Sequence, residues 1–295
     1  MSLDLVCAEA SLSQGETLAG SAVAEVDHWI LLRAPGPWGP SGLVDSGLDS
    51  RVVDRLAALS KRHPRLRVQL IRRPGDPPGL GSVLFARAAF SQSVASLSLP
   101  DAGALLGVNI EQWLAGGPIP GAESSSEPIY LVCVHGKRDR CCAERGMAVY
   151  TALNAAAGDR VFQTTHLGGH RFAATLTVLP HGIGYGRVAP GEAPALAQAH
   201  DQGLVFDLAR MRGRSAYRAS VQAAEIFLRQ RLSERALSSL RFVRVEAAAD
   251  GEKVVFRHLG TGQDHAVVVG RRELSAFPQS CGAAPKEATC FVERA

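Results

Sequence analysis

Short uninterrupted apolar runs alternate along this chain with longer stretches of helical periodicity. Ile129-Tyr-Leu-Val-Cys-Val134 is one such run, and its length and flanking polar residues predict a strand buried on both faces. The polar loop HGKRDR follows, then a predicted helix from Cys141 to Ala156 with Met147, Tyr150 and Leu153 on one face. Val161–Thr165, rich in β-branched residues, reads as a second strand, and HLGGH (166–170) as a loop broken by its glycines. Phe172–Leu179 reads as a third strand, Pro180-His-Gly as a turn, Ile183–Val188 as the hairpin partner and Ala193–Asp207 as a helix. The resulting β-α-β then β-β-α order is thioredoxin-like, a parallel unit leading into an antiparallel hairpin.

The same order is found earlier. Trp29–Arg33 predicts a strand, Arg51–Lys61 a helix and Leu66–Ile71 a strand. Ser82–Phe90 and Ser93–Leu97 can pair, and Asp101–Leu106 opens a helix. APGPWGP stands where the later copy has its cysteine loop, and RRPG stands where it has HLGGH. This predicts a degenerate tandem copy that keeps the scaffold and lacks the ligands. A stretch rich in Gly, Pro and Ser (116–128) reads as the linker between the copies. From Met211 onward a helix over Ala216–Arg231 and a second near Glu234–Leu240 precede predicted strands Phe242–Ala247, Lys253–His258, His265–Val269 and Ala288–Val292. The expected fold class is therefore α/β (α+β). A degenerate thioredoxin-like domain occupies residues 1–125, a thioredoxin-like domain with the cysteines and histidines 126–210 and a small α+β region 211–295.

Composition narrows the function classes. With 46% hydrophobic and 20% charged residues the chain reads as globular. Net charge is a modest +4 and aromatics are only 6% and scattered, which argues against nucleic-acid binding. No charge-free apolar run of about 18 residues predicts a membrane span. No basic region precedes an apolar stretch at the N-terminus, so a cytoplasmic location is expected, where cysteines serve more often as ligands or redox groups than as disulfides.

Three of the six cysteines and three of the nine histidines fall between Cys133 and His170. Cys133 closes a strand and Cys142 lies in the first turn of the next helix, where the helix N-terminus, Lys137, Arg138, Arg140 and Arg145 favour thiolate. Cys141 should point roughly 100° away from Cys142, so only one of the two faces the same centre as Cys133. Asp139 is expected either to pair with a neighbouring Arg or to cap that helix. His166 and His170 flank Gly168-Gly169, which suits a loop wrapping a metal better than a helix. Two sulfurs and two imidazoles permit a tetrahedral zinc or a Rieske-type [2Fe–2S] centre, and eight intervening residues are wide for a zinc pair. His135 is expected to hold the loop, and Arg171 either to compensate cluster charge or to be solvated. Cys281 and Cys290 read as ordinary thiols or a redox-labile pair, with a second metal site as the alternative, and Cys7 reads as isolated. A thiol oxidoreductase built on the vicinal Cys141 and Cys142 is a further alternative. GIGYG (182–186) sits in a hairpin, so it is a poor dinucleotide fingerprint, and electrons from a nicotinamide would need a separate reductase.

The segments PIYLVCVHGKRDRCCAERG (128–146), HLGGHRFAATLTVLPHGIGYGRV (166–188) and WILLRAPGPWGP (29–40) resemble the sucrase/ferredoxin-like family, whose members carry a thioredoxin-like ferredoxin domain. The resemblance implies a [2Fe–2S] cluster held by Cys133, Cys142, His166 and His170. It implies an electron carrier rather than an enzyme, with no catalytic residues and a redox partner protein such as a reductase. Four-cysteine ferredoxins of this type have cysteines where this chain has the two histidines. Histidine ligation implies a potential above the four-cysteine value and a possible coupling to protons. No acid pair supports the sucrase of the family's name. The alternative cofactor is zinc, in a metal-stabilised binding module.

Overall fold

The computed structural model describes residues 6–76, 81–89 and 92–294; Phe90, at the end of one predicted strand, lies outside them. The first repeat consists of β1 (His28–Arg33), α2 (Ser50–Arg62), β2 (Leu66–Arg72), β3 (Ser82–Arg87) and β4 (Ser93–Ser98), preceded by α1 (Cys7–Ser13). β1 runs parallel to β2 and antiparallel to β3, which pairs in turn with β4. Its four central residues are buried, as expected of an inner strand covered on both faces. α2 buries Val52, Leu56 and Leu59 along one stripe, and Asp49 caps it by accepting the Arg51 N–H.

The second repeat has the same connectivity. β6 (Ile129–Cys133) is parallel to β7 (Val161–Thr164), antiparallel to β8 (Leu176–Leu179), and β8 pairs with β9 (Ile183–Tyr185). α4 (Arg140–Ala157) bridges β6 and β7 and packs on both. Its buried stripe is Cys142, Gly146, Val149, Tyr150 and Leu153, whereas Met147 is turned to solvent, off the predicted face. Phe172–Thr175, read as strand, forms the turn that leads into β8, and α5 ends at Asp201, six residues short of the expected end.

The repeats join through β2 and β7, which run antiparallel with Ile71 opposite Thr164 and Arg72 opposite Gln163. The result is one ten-stranded mixed sheet in the order β10-β9-β8-β6-β7-β2-β1-β3-β4-β5. Strand order is thus mirrored about the β7–β2 junction. One edge is β5 (Glu123–Ser125), an exposed strand inside the stretch read as a linker, held by main-chain pairing to β4 after the short helix α3 (Ile110–Leu114). The other edge is β10 (Met211–Arg214), where the third segment was expected to begin; it pairs with β9.

α6 (Ala219–Leu232) packs on β10 and on all four strands of a second sheet, β11 (Leu240–Ala248), β12 (Gly251–His258), β13 (Asp264–Pro278) and β14 (Pro285–Arg294). Lying between two sheets, it buries residues around most of its circumference. Its buried Glu225 takes both Arg214 of β10 and Arg229, at 3.3 and 3.0 Å. The helix expected near Glu234–Leu240 does not form. Leu204 bridges Ala236 there, and Leu240 already opens β11. β13 and β14 are much longer than predicted. Their hairpin carries its tip, residues 279–284, back toward α1 and the start of α4. Among the described residues no helix is long and apolar enough to cross a membrane.

Candidate metal centre

Cys133 is the last residue of β6 and Cys142 the third of α4; both are buried. α4 approaches the strand closely because residue 146 is glycine: a Cβ there would collide with the Cys133 carbonyl. Asp139 starts the helix by accepting the Cys141 N–H at 2.9 Å, the second of the two roles expected of it. His166 and His170 come from the loop after β7. Gly168 and Gly169 have φ of +90° and +68°, the left-handed region that glycine enters without a Cβ penalty, and the chain there doubles back to put the two rings 5.2 Å apart.

Nδ1 of His166 faces both sulfurs, 3.9 Å from Cys133 Sγ and 3.7 Å from Cys142 Sγ. These three side chains form a group whose ligand atoms all lie within 4.8 Å of one another and which could hold a metal. His170 lies outside that tight group, beside His166. Its Nε2 meets Ser280 Oγ at 2.7 Å, while its Nδ1 is buried without a hydrogen-bond partner. A buried nitrogen with no partner costs free energy unless something accepts its lone pair or its proton. Two thiols, a facing imidazole and an unpartnered imidazole nitrogen suit a thiophilic transition metal.

Electrostatics favour ligation by Cys133. The hydrogen bond from Cys142 holds its thiol well below the ordinary range against the opposing effect of burial, with help from His166 and the His135 N–H. Cys142 is pushed up by that same hydrogen bond and by burial. Burial keeps His170 below the usual imidazole value, so the ring is neutral and its lone pair available.

The surroundings hold the loops in place. His135 accepts the His166 N–H at Nδ1 (3.2 Å), and its Nε2 lies 2.9 Å from Gly39 O, so the cysteine loop rests on the APGPWGP loop of the first repeat. Arg171 is neither solvated nor free to compensate a cluster; it is clamped on the buried Glu16 at 2.7–3.0 Å. The cations that do serve the site were not singled out in the sequence. Arg67 donates to His166 O at 2.8 Å and the buried Arg212 to Gly168 O at 3.1 Å. Burial and then Arg171 push Arg212 down to about 9, while Cys133 and Cys142 act to raise it. An arginine between two strand residues carries no local signature of such a role, and Ser280, 110 residues from His170, carries none either.

A family model described as sucrase/ferredoxin-like matches residues 22–213, which span both repeats and all of Cys133, Cys142, His166 and His170. The chain belongs to the sucrase/ferredoxin-like family. No curated protein and no solved structure matches it. In this sucrase/ferredoxin-like chain α1, the small sheet and Ser280 lie outside the matched region.

Proposed function

We propose that this protein is a one-electron carrier whose [2Fe–2S] cluster is held by Cys133, Cys142, His166 and His170. The supporting observation is the placement of the fourth donor. One tetrahedral zinc with bonds of about 2.0–2.3 Å needs all four donors within roughly 4 Å of one another. His170 stands apart from the three-atom group, with an unpartnered Nδ1, and a centre with two metal ions accommodates that spread better.

When bound, such a cluster supplies storage of a single electron. The chain's residues set its energy. Replacing two thiolates by neutral imidazoles removes negative charge, which favours reduction; potentials for such ligation lie at about −150 to +300 mV, against roughly −400 mV for plant-type four-cysteine clusters. The buried Arg212 adds positive charge and acts in the same direction. Ser280 Oγ meets the outer nitrogen of His170 at 2.7 Å, so with Nδ1 as ligand Nε2 would be the atom that loses its proton in the oxidised state and regains it on reduction. The cysteines are buried while both histidines are half-buried, so the imidazole side is where a redox partner protein exchanges the electron.

Anaerobic purification with iron and sulfide analysis tests the reading. Two irons and two sulfides per chain, with an EPR signal on reduction that Cys133→Ala removes, is the expected result. A colourless protein holding one zinc at these residues would replace it with the binding-module reading. Redox titration against pH tests the proton: the one-electron, one-proton limit is about 59 mV per unit, and a flat profile would remove proton coupling.

A further inference from the structure

Behind the proposed cluster lies a second group of ligating side chains, drawn from the most distant parts of the chain. Cys7 opens α1, Cys141 lies in the first turn of α4, and Cys281 is at the tip of the β13–β14 hairpin. Cys7 and Cys141 are fully buried and Cys281 half-buried. Their sulfurs form a near-equilateral triangle: Cys7–Cys141 3.5 Å, Cys141–Cys281 3.3 Å and Cys281–Cys7 3.6 Å. These distances are far from the roughly 2.05 Å of a disulfide. They lie close to the edge of about 3.8 Å that a tetrahedral ion with metal–sulfur bonds of about 2.3 Å imposes. The Asp139 carboxylate lies against the triangle, with Oδ1 3.7 Å and Oδ2 4.0 Å from Cys7 Sγ. Each of its oxygens accepts one backbone N–H, from Cys141 at 2.9 Å and Cys281 at 3.0 Å, which orients it and leaves a lone pair on each oxygen.

We propose that Cys7, Cys141, Cys281 and Asp139 form a closed structural site for a thiophilic divalent cation of the zinc class. It is distinct from the cluster and does not depend on the cluster reading. Three thiolates, formed as the cation displaces the thiol protons to solvent, and one carboxylate complete a four-coordinate shell with no open position, as in structural rather than catalytic zinc sites. Apolar neighbours, Ala8 and Ala173, surround the triangle. Metal binding there closes chain loops more than 130 residues long, between Cys7 and Cys141 and between Cys141 and Cys281. Cross-links over such lengths remove the most chain entropy from the unfolded state. The cation also pins Cys281 beside Ser280, and so fixes the hydroxyl that meets His170.

The test is metal content of the full chain expressed with iron and zinc and purified anaerobically. One zinc per chain is expected in the wild type and in Cys133→Ala, which removes the iron only. Cys281→Ser and Cys141→Ser should lose the zinc and keep the iron; Cys281 sits on a half-exposed hairpin tip, so its replacement leaves the core intact. Cobalt in place of zinc should give tetrahedral visible bands with thiolate charge transfer, absent in Cys281→Ser. Zinc unchanged in Cys281→Ser and Cys141→Ser would overturn the proposal. So would wild-type protein without zinc, or a mass two hydrogens lighter that shows a disulfide among the three cysteines.

Discussion

The corner after β1 and the corner after β6 occupy equivalent places in two repeats with mirrored strand order, yet they are closed by different chemistry. In the first repeat Arg33 ends the strand and pairs with Asp76 at 2.9 Å, and Trp38 folds back to donate to Ala34 O. In the second, Cys133 ends the strand, and Cys142 and His166 converge on it. The ligand-free corner still contributes to the other: Gly39 in its loop holds His135, which holds the His166 backbone. A repeat that lacks donors can thus serve as the template against which the other repeat's donors are oriented.

The largest expected effect separates the corners outright. Cys133→Ala and Cys142→Ala should abolish the visible absorption and bound iron, while Arg33→Ala, at the equivalent strand end, should leave both in place. Loss of iron in Arg33→Ala would mean that the first repeat takes part in ligation. Next is the support under the second repeat. Arg214 and Arg229 share the buried Glu225, so Glu225→Ala leaves two guanidinium groups uncompensated and should cost about 3–5 kcal/mol in equilibrium unfolding. A loss below about 1 kcal/mol would show that water reaches the pair.

Much of this contrast can be read from the chain. The inner strands β1 and β6 are legible because burial on both faces leaves unbroken apolar runs, and Asp139 is legible as a cap from its place before a helix. β5 is not, because three exposed residues paired only through their backbone look like any polar linker. The outer halves of β13 and β14 carry charged residues such as Arg271, Arg272 and Glu273, so their hydropathy gives no strand signal. Cys7 reads as isolated and Cys281 as a neighbour of Cys290 for the same reason: only the long hairpin brings Cys281 to Cys7 and Cys141, while Cys290 packs with Ala10, Leu274 and Phe277.

Two smaller effects sharpen the comparison. His166→Cys or His170→Cys adds a thiolate at the second corner and should lower the potential by on the order of 100 mV, toward the four-cysteine range; an unchanged potential in redox titration would sink the ligand assignment. The second repeat should also be the acid-sensitive one. Burial lowers His181 to about 4 and His200 to about 3 from an ordinary 6.5. Between those values the unfolded chain binds protons that the folded chain does not, so stability falls as pH drops from 6.5 toward 4. Thermal melts across that window should show the decline, and His200→Gln should flatten it.

Cys141 and Cys142 are neighbours in sequence, yet their side chains leave one helical turn in different directions, into separate clusters. A single residue added between the capping Asp139 and Cys141 would rotate that turn by about 100° against its cap and misdirect both sulfurs together. Mutational drift here is therefore free to alter the exposed Lys137, Arg138 and Arg140, whereas lineages descended from this protein should retain His135 and Asp139, which hold the His166 backbone and the helix start, and should purge changes of length next to the cap.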